Sequence, residues 1–139
     1  MRSTTSLRLD DKLRERLAGI AEVEGTTMTA VIERMLRESL AMAEDPGVVF
    51  KPGYSGRRAA LAGGPDVWQI ASALRRMSGP ASARITALAD EFGLPEREII
   101  IALDYIAAHR EEIDAEVAAN DRALDELERI AADRKRLLA

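Results

Sequence analysis

The chain of 139 residues has no cysteine and one histidine, His109. Without thiols there is no disulfide framework and no thiolate metal site, which fits a reducing cytoplasm. One imidazole alone gives neither a metal cluster nor a base–nucleophile pair enough members. Adjacent carboxylates such as Asp90/Glu91 and Glu111/Glu112 diverge on a helix and read as solvated faces. No enzyme and no cofactor are expected. Aromatics make up 4% of the chain against 47% hydrophobic residues overall, so the core is built from Ala, Leu, Ile and Val, which suits helices. Trp68 reads as a core or interface anchor. No apolar run approaches membrane length and no signal-peptide segment opens the chain, so no membrane partner is expected. Glycine and proline do not occur after Pro95.

The net charge of −4 is unevenly spread: residues 46–80 hold five Lys/Arg against one Asp/Glu, and residues 81–139 hold eight against fourteen. The middle is basic and the C-terminal part acidic. Sequence-independent attraction to DNA is therefore modest and salt-sensitive. The acidic part faces a basic protein or water.

The opening stretch Thr4-Thr5-Ser6-Leu7-Arg8-Leu9-Asp10 alternates at a period of two. It predicts a short strand with Thr5, Leu7 and Leu9 on one face and Thr4, Ser6 and Arg8 on the other. Asp10 suits the N-cap of a first helix carrying Leu13, Leu17 and Ile20. Gly25 is placed to stop it, and Thr27 to cap a second helix with Met28, Val31, Ile32, Met35, Leu36 and Leu40 on its apolar side. One strand and two helices in about forty residues form too small a core to stand alone, and the strand has two unpaired edges. A second copy of the chain resolves both problems: the strands pair antiparallel and four helices close on a shared core. The outward face then meets a partner. Arg8 has the donors for a guanine edge, with Ser6 and Thr4 as adaptable neighbours. The N–H groups around Thr27 to Thr29 are placed to hold a phosphate.

The segment T-S-L-R-L-D-D-K-L-R-E-R-L-A-G-I-A-E-V-E-G-T-T-M-T-A-V-I-E-R-M-L, within residues 3–43, resembles the CopG/MetJ/Arc family of ribbon-helix-helix DNA binders, common among bacterial antitoxins. The resemblance implies a homodimer through the N-terminal ribbon and helices. Operator DNA would be read in the major groove by Thr4, Ser6 and Arg8. Thr27 would anchor a phosphate, and Arg2 and Thr29 complete the candidate DNA-binding set.

After Glu44-Asp45-Pro46-Gly47 the composition changes. Val48–Lys51 and Arg58–Leu61 flank the turn Pro52-Gly53-Tyr54-Ser55-Gly56, which reads as a structured linker or, preferably, a small β-hairpin. Lys51, Arg57 and Arg58 form its basic tip, a candidate contact for DNA phosphate or an acidic partner. Gly63-Gly64-Pro65-Asp66 lacks the Gly-Lys-Ser/Thr of a phosphate loop. Asp66 caps a predicted helix from Val67 to about Met77. Ile85, Leu88, Ala89 and Phe92 mark a short helix, Gly93-Leu94-Pro95 a turn, and Ile99 to Ile106 a further helix. This is a helix-turn-helix outline, but its second helix opens Pro95-Glu96-Arg97-Glu98, poor chemistry for a polyanion. It reads as packing. Residues 47–109 also resemble an uncharacterised helix-turn-helix-like family often found in antitoxins of VapBC-like loci, with Gly56-Arg57-Arg58 and Ala102-Leu103-Asp104-Tyr105 in matching places.

From Glu111 the chain is helix code. Ile113, Val117, Asn120, Leu124, Leu127, Ala131, Arg134 and Leu138 alternate at four and three, a heptad seam. Such a helix pairs with its copy or lies in the groove of another protein. In antitoxins of this plan the C-terminal segment blocks the toxin. The resemblance therefore implies that Val117, Leu124, Leu127, Arg134 and Arg136 bind a cognate toxin, a nuclease. Arg134-Lys135-Arg136 would reach its carboxylates, or else form a solvated end.

The expected fold is mainly α, in three parts: a ribbon-helix-helix dimerisation and DNA-binding domain over residues 1–45, a β-hairpin plus helix-turn-helix-like domain over 46–109, and a long C-terminal toxin-binding helix over 110–139. The expected function is that of a cytoplasmic antitoxin of a type II toxin–antitoxin module. The rivals are a ribbon-helix-helix regulator without a toxin and a dimeric interaction scaffold.

Overall fold

The structure, a computed structural model, describes residues 1–53 and 56–139. It is mainly helical, with one small antiparallel hairpin and a long C-terminal helix. Tyr54 and Ser55, in the turn expected between the hairpin strands, lie outside the described residues. The chain divides into two compact units, Met1–Ala43 and Glu44–Ala139.

The first unit holds α1 (Asp11–Glu24) and α2 (Met28–Glu44), the last residue of α2 falling just past its boundary. Asp10 starts α1 as a cap: its side chain accepts the Leu13 N–H at 2.9 Å, leaving one fewer first-turn donor unpaired. Gly25 ends the helix at φ +66°, a left-handed conformation that costs glycine little. Thr27 then caps α2, its hydroxyl oxygen accepting the Ala30 N–H at 3.1 Å. The core between the helices consists of Leu17, Ala21 and Val31, with Leu9, Ile20, Met28 and Ile32 against it. Residues 1–10 carry no strand. The expected strand needs a neighbouring backbone to bond with, and a single chain has none to offer there.

In the second unit β1 (Val48–Gly53) pairs antiparallel with β2 (Gly56–Leu61), with Val48 opposite Leu61 and Lys51 opposite Arg58. The hairpin reading of this segment stands. Gly47 leads into β1 at φ +96°, where an added Cβ would sit 3.1 Å from an Ile101 methyl. Four helices follow: α3 (Val67–Arg75), α4 (Ala81–Phe92), α5 (Glu96–Ala108) and α6 (Arg110–Leu137). α3 ends two residues before the expected Met77, since Ser78-Gly79-Pro80 lies just ahead. α3 and α5 pack together; α3 also meets β2, α4 and α6, and α5 meets α4, α6 and β1. Two clusters fill the interior. Val48, Ala59, Val67, Ala71, Tyr105, Ile113 and Val117 make one. Leu61, Ile70, Ala73, Leu88, Ala89, Ile99 and Ala102 make the other.

α6 is 28 residues long, or roughly 42 Å. His109 is the break before it, at φ −126° and ψ 40°. The helix is not a free-standing segment: Ile113 and Val117 are buried in the first cluster. No helix among the described residues is long and apolar enough to cross a membrane.

Candidate nucleic-acid and partner interfaces

In the first unit the opening residues lie exposed ahead of α1. Arg2, Thr4, Ser6 and Arg8 are all exposed, while Leu9 is half-buried against the helix pair. No backbone N–H of residues 2–9 finds an acceptor among the described residues. Ser3, Thr4, Thr5, Leu7 and Leu9 line one side of an open groove of about 660 Å³, with Met28, Thr29, Ile32 and Leu36 from α2 on the other. The predicted alternation is only partly expressed here, because Thr4 lines the groove alongside Thr5, Leu7 and Leu9. Arg2 is tied back to α2 by an ion pair to Glu33 at 3.2 Å, whereas Arg8, the basic member of the candidate base readers, has no ion pair among the described residues. Thr27 and Thr29 stand exposed at the N-terminus of α2, where first-turn amides point outward.

The same unit leaves large apolar side chains uncovered. Leu7 is 60% exposed, Leu36 56% and Leu40 65%, and Leu13, Met35 and Met42 are exposed as well. Leu36 and Leu40 sit one turn apart on α2, and Leu36 borders the groove. A surface of this kind on so small a unit marks an interaction site.

The basic hairpin is more structural than its composition implies. Lys51 donates to the Gly64 carbonyl at 3.0 Å and is partly buried. Arg58 makes an ion pair with Asp66 at 2.9 Å. Asp66 also accepts from the Trp68 indole N–H at 3.1 Å, and its own N–H donates to Gln69 Oε1 at 2.9 Å. Arg57 donates to the Phe50 carbonyl at 3.1 Å and remains exposed. Of the three, only Arg57 is exposed as a residue. Sequence alone could not assign Lys51 and Arg58 these partners, because the partners lie on the loop and helix start that follow the hairpin.

On α6 the residues expected to bind a toxin divide. Val117 is 2% exposed and packs among Tyr105, Ile113 and Val67, so it holds the second unit together and offers nothing to a partner. Leu124 and Leu127 are 52% and 63% exposed, and Ile130, not singled out in the sequence, is 47% exposed. Arg134 and Arg136 are exposed, with Arg136 paired to Asp133 on its own helix. The heptad seam runs through both environments. Its first members face the interior and its later members extend past the unit's core, which periodicity cannot distinguish.

Around the start of α6 lies a compact polar cluster. The Tyr105 hydroxyl donates to Glu112 at 3.2 Å, and its ring stacks on His109 with centroids 4.1 Å apart. Burial and the neighbouring Glu112 push the phenol well above its ordinary range. His109 sits 3.4 Å from Asp45 and 3.6 Å from Glu112. Farther along, burial and then the charge of Glu112 raise the Glu116 carboxyl to about 7, with Arg58 opposing. No group of three or more His, Asp or Glu side chains among the described residues is placed to hold a metal ion.

A scan of protein-family models and searches of curated proteins and of solved structures all returned no match to this chain.

Proposed function

We propose that two copies of the chain pair through their N-terminal units as a ribbon-helix-helix, and that this dimer binds operator DNA. The observation that carries the reading is the uncovered apolar face of Leu7, Leu36 and Leu40 on a unit whose buried core is Leu17, Ala21 and Val31. A second copy covers that face and supplies the backbone partner that residues 4–9 lack. The paired strands then present Thr4, Ser6 and Arg8 outward, with Thr27 and Thr29 on flanking phosphates.

We further propose that the chain is a cytoplasmic antitoxin of a type II module, its cognate toxin a nuclease held by the exposed end of α6 around Leu124, Leu127, Arg134 and Arg136. A truncation after Asp121 tests this. It spares Ile113 and Val117, which a cut at residue 110 would strip from the core. The truncated chain is expected to keep shifting the duplex upstream of its own reading frame and to lose inhibition of the ribonuclease encoded beside it. Toxin inhibition that survives the truncation would overturn the assignment of α6. If the full chain binds no upstream duplex, the scaffold reading takes its place. If it binds the duplex and has no neighbouring toxin, it is a regulator alone.

A further inference from the structure

Past Val117, one stripe of α6 faces an open groove of about 530 Å³. Ala119, Asn120, Ala123, Leu127 and Ile130 line it, with Trp68 on the opposite wall. At its inner end one oxygen of Glu116 is buried without a hydrogen-bond partner among the described residues. Arg58, which also borders the groove, is already held by Asp66 at 2.9 Å. Arg58 acts on Glu116 only through its charge, so among the described residues that oxygen lacks a hydrogen-bonding cation, and the outer stripe lacks an apolar cover.

The stripe is inverted end to end. Small residues, Ala119 and Ala123, come first; large ones, Leu127 and Ile130, follow; a cation, Arg134, comes last. Laid antiparallel on its own copy, with the dyad near Asp125, the helix sets Ala123 against Leu127, Asn120 against Ile130 and Glu116 against Arg134. Large side chains then fill the space over small ones, each carboxylate meets a guanidinium, and a single Asn helps fix the register. Parallel pairing would set Glu116 on Glu116 and Arg134 on Arg134. Glu126, close to the dyad, is neutralised on its own helix by Arg129, whose Nε lies 3.0 Å from its carboxylate.

We infer that this groove docks α6 of a second copy, antiparallel, with the partner's Arg134 on Glu116. The inference goes beyond the operator and toxin readings and depends on neither. If both hold, a toxin reaches Leu127 only by displacing the second helix.

Because the chain has no cysteine, single nitroxide labels on Leu124→Cys and Leu138→Cys report the geometry in the full-length protein. Two helices pack about 8–10 Å apart, so the labels at 124 are expected within roughly 20 Å of each other. Those at 138 are expected about 39 Å apart along the axis, at 1.5 Å per residue. In the chain labelled at 124, Glu116→Lys should abolish the short distance, and adding Arg134→Glu should restore it. Three outcomes overturn the inference: no short distance at 124, a short distance at 138, or a charge swap that fails to restore what Glu116→Lys removed. Duplex binding by the same labelled samples reads the first unit separately, so failure of one reading leaves the other standing or fallen on its own data.

Discussion

The two units solve the problem of burying apolar surface to different degrees. Among the described residues, fifteen buried hydrophobic side chains organise the second unit, whereas only Leu17, Ala21 and Val31 are buried in the first. The second also closes its hairpin under α3 and α5 and ties Tyr105, His109 and Glu112 together at a helix junction. The first has caps at both helix starts and a glycine stop between them, so its local structure is fully specified. What it lacks is cover. Good local signals with an incomplete core are what the proposed pairing with a second copy would complete.

The contrast breaks most sharply in the second core. Leu88 is fully buried there, so Leu88→Ala should cost about 2–5 kcal/mol. Urea unfolding followed by Trp68 fluorescence measures this, since the only tryptophan lies in that unit. Next comes Leu36→Arg. On a truly solvated helix face it would change stability by no more than ~0.5 kcal/mol. As part of a covered face it should weaken self-association of the first unit at least about tenfold, or ~1.4 kcal/mol, read by sedimentation at graded concentrations with the Trp68 unfolding curve unchanged. Arg8→Ala should weaken binding to the upstream duplex by ~1–3 kcal/mol if it reads a base edge, again without moving that curve.

The smallest effect concerns Glu116. Its carboxyl in the folded chain is raised to about 7, first by burial, above the ordinary carboxylate value. The folded state thus binds that proton more tightly than the unfolded state. The stability it contributes is present at acid pH and fades as pH climbs from the ordinary carboxylate range through about 7. Glu116→Gln, which stays uncharged, should match its parent at pH 5 and exceed it at pH 8 by up to ~1 kcal/mol, allowing for solvent screening. The comparison belongs in an Arg134→Ala chain, so that no cation from a second copy contributes.

Sequence reading served well where the signal is local. Asp10, Gly25 and Thr27 do at the element ends what their side chains and backbone freedom predict, and the expected hairpin forms, although its strands take in Pro52, Gly53 and Gly56 from the expected turn. It served less well where the answer depends on what lies opposite. Val117 and Leu127 occupy the same helical stripe by periodicity, but the first is enclosed by Tyr105 and Val67 and the second is open. Lys51 and Arg58 look like a basic tip until Gly64 and Asp66 fold back to meet them. Burial of that kind is set by tertiary neighbours many residues away, and no spacing rule carries it. The opening strand is the converse case: the alternation is plain, but a strand is a property of two backbones, and a single chain leaves residues 1–10 without one.

Amide hydrogen exchange across Thr4 to Leu9 addresses the pairing of the first unit most directly. In one chain these N–H groups have no acceptor among the described residues, so they should exchange as fast as an unfolded peptide. In a dimer closed by an antiparallel ribbon, alternate amides should be protected, more so at higher protein concentration, and Leu36→Arg should remove the protection. Full-rate exchange along the whole stretch at every concentration, in protein whose second unit is intact, would contradict the account.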